Sequence, residues 1–285
     1  MESKKTKKKL RADVFARLVK IFGEKSWEIE DGSNEVSLFN RYCSTLLDLS
    51  DDQQMLILEL TERFTRIKYE DYLIYIKQLF SSLVSYKEFD ITSINNIYIA
   101  PLISPDDFGK SKSSTMVQYI ARNAISNIQE LAFKKIKYID GLDVESELVN
   151  RDDSILFLLD DFVGTGDTAS DAINYLINEK KIDKKKILIL SIATLEAGIS
   201  NLKGLGFNIH TALIFNKGIT DYYTPDIASE KIRLMESIEK KIKAHKNERL
   251  GFKGSEALIT LVRTPNNTFP VFWKEKKNRI APFPR

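Results

Sequence analysis

The chain of 285 residues contains a single cysteine, Cys43, and two histidines, His210 and His245. One cysteine excludes an intrachain disulfide and points to a reducing compartment, so the expected location is the cytoplasm. Three such side chains are too few for a zinc site of the usual ligand set. Cys43 lies within SLFNRYCSTLLDL, whose apolar spacing is helical, and reads as a packed residue and not as a nucleophile. No apolar run approaches the roughly 18 residues that a membrane span requires. The basic start MESKKTKKKLR has no apolar stretch behind it, which excludes a secretory signal. Residues 1–11 read as a disordered basic tail, either solubilising or a contact for an acidic partner. The formal net charge is only +3, so direct nucleic-acid binding has no support from bulk charge.

Proline does not occur before Pro101, and residues 12–90 read as helices. VFARLVKIF, MLILELTERFTRI and YEDYLIYIKQLFSSLV carry apolar residues at i, i+3, i+4 spacing. Ser50 and Asp51 are cap residues for the second of these, and DGS at 31–33 is the one clear break. From about Asn95 the texture changes. IYIAPLI, IKYI, ILFLL, KILILSIATL and NIHTALIF read as strands, separated by amphipathic helices such as STMVQYIARNAI and TASDAINYLIN. Strands apolar on both faces, alternating with helices, predict a parallel α/β sheet covered on both sides over residues 91–285. A charged amphipathic helix, DIASEKIRLMESIEKKIKAH, follows, and then ALITLVRT and FPVFW read as short strands around the turn PNNT.

The segment that carries chemistry is ILFLLDDFVGTGDTASDAI, from Ile155 to Ile173. An apolar strand ends in Asp160 and Asp161, and Gly164-Thr165-Gly166-Asp167-Thr168 leads into a helix. In an open parallel sheet, ligands bind beyond the carboxyl ends of the strands. The helix start offers free N–H groups to an anion, and glycine lets the backbone approach it. Carboxylates beside anion donors suit a sugar phosphate. A Walker A loop is excluded, because Gly166 is followed by Asp167 and not Lys. A haloacid-dehalogenase nucleophile is excluded because its two aspartates are separated by one residue, whereas these are adjacent. A plain helix cap with a glycine turn is the remaining structural reading.

This stretch resembles the phosphoribosyl-pyrophosphate (PRPP) signature of type I phosphoribosyltransferases: an apolar strand, two acids, two apolar residues, a variable residue and Thr-Gly-x-Thr. The resemblance implies that Asp160 and Asp161 hold the ribose hydroxyls and that Gly164, Thr165, Gly166, Asp167 and Thr168 wrap the 5′-phosphate. It implies Mg2+, brought with PRPP and without direct protein ligands, at the leaving pyrophosphate. It also implies a second loop after the first core strand, where PDDFGKSKSS offers Lys110, Lys112, Ser113 and Ser114 to the pyrophosphate. That loop reads equally as a solvated polar connection. In the same fold a C-terminal hood often binds the base, making Asn266, Asn267, Phe272 and Trp273 candidates, with a turn plus hydrophobic anchors as the other reading. Two departures stand out. The segment expected to close over the site, DGLDVESELVNRDDS, is acidic, and Gly164 has no side chain to act on a base. These departures keep open a regulatory or assembly module that binds PRPP or a nucleotide without turnover. The ending PNNTFPVFW also resembles a branch of phosphoribosyltransferase-like proteins from bacterial conflict systems. That likeness implies an effector of anti-phage defence beside a partner ATPase or a retron reverse-transcriptase ribonucleoprotein.

Overall fold

The computed structural model describes residues 9–30, 32–86, 90–110, 112–276 and 279–285. Most of the basic tail lies outside them. The chain divides into two compact units, residues 67–216 and a unit made of 1–66 with 217–285.

The first unit is a five-stranded, all-parallel sheet in the order β3-β2-β4-β5-β6. Its strands are β2 (Asn96–Pro101), β3 (Lys135–Tyr138), β4 (Ser154–Val163), β5 (Ile187–Leu195) and β6 (Asn208–Phe215). The helices are α4 (Asp71–Ser82), α5 (Ser113–Ile125), α6 (Ser146–Val149), α7 (Asp167–Asn178) and α8 (Glu196–Gly204). The strands are apolar on both faces because helices cover both. Leu156 and Leu158 share one buried cluster with Ala169, Ala172 and Ile173 of α7 and Ile199 and Leu202 of α8. On the other face α4 packs on α5, β5 and β6, and the Phe80 ring meets Phe157. Gln118 ties α5 to the sheet by donating to the carbonyls of Ile99 and Ile139, both at 2.8 Å.

The second unit contains α1 (Ala12–Glu24), α2 (Leu38–Leu47), α3 (Asp51–Arg63), β1 (Thr65–Arg66), α9 (Pro225–Lys241) and β7 (Ile259–Thr260). Ser50 and Gln53 form a capping box at the start of α3, with the Ser50 N–H donating to Gln53 Oε1 at 3.1 Å. The core is aromatic: Phe64 stacks on Phe283 at 4.9 Å and lies 4.7 Å from Phe272, while Phe22 meets Tyr42 edge-on at 5.5 Å. Cys43 packs against this core, and burial pushes its thiol up to about 11.

Two boundaries differ from expectation. The helical segment 12–90 is not one region, because the apolar face of α4 (Tyr72, Ile76, Leu79, Phe80) packs into the sheet unit. Periodicity reports that a helix has an apolar face but not what covers it. The chain after 216 joins α1–α3 instead of the sheet. Of ALITLVRT only Ile259–Thr260 forms a strand, pairing in parallel with Thr65–Arg66. FPVFW forms a 3-10 turn over Pro270–Phe272, since Pro270 lacks a ladder donor and its fixed φ suits a first helical position.

Glu239 of α9 is fully buried, with Oε2 accepting from the Leu250 N–H at 2.8 Å and Oε1 without a partner among the described residues. Burial raises its carboxyl from 4.5 to about 8. A raised acid favours folding in its neutral form. The contribution is complete below 4.5 and is lost as pH rises toward 8. At pH 7 the loss amounts to about 3 kcal/mol. Glu239→Gln is therefore expected to flatten the fall in melting temperature between pH 5 and pH 8, measured by thermal denaturation across that range. An unchanged pH profile would remove Glu239 as the cause.

Candidate active site

β2 is flanked by β3 and β4, so the connection leaving β2 turns one way along the sheet and that leaving β4 turns the other. Such a reversal opens a crevice at the carboxyl ends of the two strands. The segment entering α5 and the segment entering α7 both start from this point.

Asp160 and Asp161 are still within β4, so the two-residue period of a strand sends them to opposite faces. Asp161 falls on the face covered by α4 and α5. It is buried, and both oxygens accept hydroxyl donors: Tyr72 of α4 to Oδ2 at 2.9 Å and Ser113 of α5 to Oδ1 at 2.7 Å. Asp160 points to the face of α7 and α8. Its Oδ1 accepts the N–H of Asp161 at 2.9 Å, and its remaining oxygen accepts no protein donor among the described residues. Burial pushes the Asp160 carboxyl well above the usual carboxylate range, the charge of Asp161 adds to the rise, and Lys112 opposes it. Asp160 therefore resists ionisation until a cation or cationic centre arrives.

The loop after β4 is shaped by α8. Gly166 caps α7 at φ 87°, a left-handed conformation that glycine adopts without penalty, and a Cβ there would lie 3.0 Å from Leu202 Cγ. A Cβ on Gly198 would fall 2.2 Å from the Gly164 carbonyl oxygen. Asn201 Nδ2 donates to the Thr165 carbonyl at 3.1 Å. The loop carbonyls are thus turned toward α8, and Gly166 has no side chain to cap the first turn of α7. The first N–H groups of that helix have no partner within it. Thr168 is exposed on the same turn. Donors and dipole at this turn suit an anion.

The other expected residues separate into groups. Ser113 reaches the acidic pair directly. Lys110 and Lys112 both pair with Asp107, at 2.9 and 2.7 Å, so the loop after β2 carries its own counter-charge. Ser114 is buried, and its hydroxyl has no partner among the described residues. The expected closing segment 140–154 is held by the buried side chains of Leu142, Val144 and Val149. Two of its acids are engaged as well, Asp143 with Lys180 and Glu145 with Lys137. Asn266, Asn267, Phe272 and Trp273 belong to the other unit. There Phe272 is wholly buried against Phe64, Asn267 bonds Ser255, and the Trp273 N–H donates to the Thr268 carbonyl at 2.7 Å. Phe272 has no exposed ring for a base to stack on, and the burial of Asn267, Phe272 and Trp273 favours the reading as anchors of the chain end. Tyr72, Gly198 and Asn201 are site residues without a signal in the sequence.

A family model described as PRTase-CE matches residues 46–285, most of the chain. The chain belongs to the PRTase-CE family. Membership places it in a phosphoribosyltransferase-like group and accords with the parallel sheet. Among solved structures, a hypothetical protein from Neisseria gonorrhoeae with bound ppGpp is 14% identical. The match covers 61% of this chain and 97% of that one, with a TM-score of 0.35. Orotate phosphoribosyltransferase from Aeropyrum pernix is 11% identical over 61% of this chain and 75% of its own, with a TM-score of 0.30. Xanthine-guanine-hypoxanthine phosphoribosyltransferase from Helicobacter pylori is 9% identical over 53% and 84%, with a TM-score of 0.30. No curated protein matches the sequence. Among the described residues of this PRTase-CE member, no helix is long and apolar enough to cross a membrane.

The close approach of α8 to the loop is testable. Gly198→Ala must displace backbone and is expected to destabilise by about 1–3 kcal/mol. Gly204→Ala, in the same helix with nothing within 4 Å, is expected to be neutral or stabilising. Thermal melts of the two variants decide it, and equal melting temperatures would show that the loop yields freely.

Proposed function

We propose that this chain binds PRPP with magnesium and breaks its anomeric bond, passing ribose 5-phosphate to a base, a nucleotide, a macromolecule or water. The observation carrying the reading is the pairing, at the sheet's reversal point, of Asp160 and Asp161 with the uncapped start of α7. The 5′-phosphate would accept from the backbone N–H groups and hydroxyls of Gly164–Thr168. The ribose hydroxyls would donate to the acidic pair. When the bond from C1 to pyrophosphate breaks, its electrons leave with pyrophosphate and the ring becomes positive. Carboxylates in a desolvated site favour that charge. The approach of a cationic centre would also favour the ionised form of Asp160, whose proton would leave to solvent.

Among the described residues no group of three or more His, Cys, Asp or Glu side chains could hold a metal alone. Asp161 has both oxygens engaged, and Asp160 offers one. That single oxygen fits magnesium that keeps its waters and is held mainly by a diphosphate. Bound there, magnesium would neutralise the leaving pyrophosphate.

A second reading, binding without turnover, has its own support. Tyr72 and Ser113 occupy both oxygens of Asp161, and the segment 140–154 is acidic with Arg151 as its only base. Under either reading, the PNNTFPVFW ending supports a cytoplasmic effector of anti-phage defence working with an ATPase or a reverse-transcriptase ribonucleoprotein.

Calorimetric titration with PRPP and magnesium is expected to show saturable binding by the wild type. Binding should be lost in Asp160→Asn with Asp161→Asn. Release of pyrophosphate would then establish turnover, and binding without release would establish the sensor. Equal binding by the double variant would sink both.

A further inference from the structure

The unit of residues 1–66 and 217–285 contains a cavity of about 540 Å³ with an unbalanced charge. It is lined by Lys241 and Lys243 at the end of α9, by Lys276 and Arg279, and by Thr45 and Asp48 at the end of α2. Lys276 and Arg279 are brought side by side as an antiparallel bridge.

Neutral groups fix the positions of three of these cations. Lys241 donates to the Asp48 carbonyl, Lys276 to the Lys243 carbonyl, and Arg279 to the carbonyls of Lys274 and Val271. Carbonyls orient a cation without cancelling its charge. Asp48 is the one carboxylate in the lining, leaving a formal excess of three positive charges. Glu275 is the other acid whose field reaches Arg279. The crowding is felt by the groups themselves. Desolvation and then repulsion from Lys243 and Lys274 lower Lys276, and burial lowers Arg279 to about 10. Lys243 sits at φ 56°, where helices usually place glycine.

Thr45 belongs to the same lining. Thr45 is 3% exposed, and its Oγ1 has no hydrogen-bond partner among the described residues. A buried hydroxyl without a partner is costly unless something completes it. We propose that this cavity is a binding site for a small polyphosphate anion, such as the phosphate chain of a nucleotide, with Thr45 completing its contacts. The volume lies within the range of small-molecule sites, and the excess charge matches a di- or triphosphate better than a monocarboxylate. Arg and Lys together supply planar and point-charge donors for phosphate oxygens.

The probe is inorganic triphosphate, added to the full chain at physiological ionic strength, with lysine acetylation read by mass spectrometry residue by residue. Lys241, Lys243 and Lys276 are expected to be protected, in wild type and equally in Asp160→Asn with Asp161→Asn. Calorimetry should show affinity at the site falling about tenfold or more in Lys243→Gly with Lys276→Ala, the loss expected from two charge-assisted contacts. That pair is exposed, and glycine relieves the positive φ, so the fold is kept. Thr45→Val should weaken binding while leaving the lysines in place. Protection no greater than at remote exposed lysines such as Lys20 and Lys185 would overturn the site. So would protection by an oligonucleotide and not by triphosphate, which would mark a nucleic-acid surface instead.

Discussion

Two adjacent aspartates on one strand cannot face the same way, and the chemistry of the sheet unit depends on that. β4 continues through Asp160 and Asp161, so its alternation divides them between the two helical layers. Asp161 is committed to α4 and α5 through the hydroxyls of Tyr72 and Ser113. Asp160 is left on the side of α7 and α8, desolvated and beside a second acid, with its carboxyl well above the usual range. A pair of identical residues thereby becomes two different groups, one a fixed anchor and one responsive to what enters the site. Had the strand ended at Leu159, a turn could have pointed both at solvent, and Asp160 would lack the burial that raises its carboxyl.

The same division explains why so much of the unit converges on one place. α5 is fixed to the sheet by Gln118 and carries Ser113 to Asp161. α8 lies close enough to forbid a side chain at Gly198, and it holds the carbonyl side of the loop. The N–H side of that loop is then available at the start of α7. α4, far upstream in sequence, closes the remaining side with Tyr72. Each helix contributes through its packing on the strands, so the site is as rigid as the sheet beneath it.

Much of this was legible in the sequence because it is local. The run ILFLLDDFVGTGDT contains its own strand, acids, turn and helix start, and the structure puts them where strand and turn chemistry require. The five strands were readable for the same reason, since apolar runs between amphipathic helices admit few sheets. Tyr72 was not legible: within YEDYLIYIKQLF it is one apolar position among several, and only the docking of α4 shows that its hydroxyl meets a carboxylate. The two-unit division was hidden likewise, because an amphipathic stripe does not name its partner. Asn267, Phe272 and Trp273 fitted either base contact or anchoring of the chain end by type. Their roles follow from burial, which residue type alone does not give. Lys110 and Lys112 were readable as donors to a diphosphate or as part of a solvated loop, but their pairing with Asp107 was not legible.

The central claim is that the turn from Gly164 into α7, together with the acidic pair, forms one ligand site. Hydrogen exchange of the backbone amides, followed with and without PRPP and magnesium, tests it most directly. Slowed exchange concentrated at Gly164 to Ala169, with the start of α5 following, is the predicted result. Protection confined to other segments, with the amides of this turn exchanging as fast as before, would contradict it.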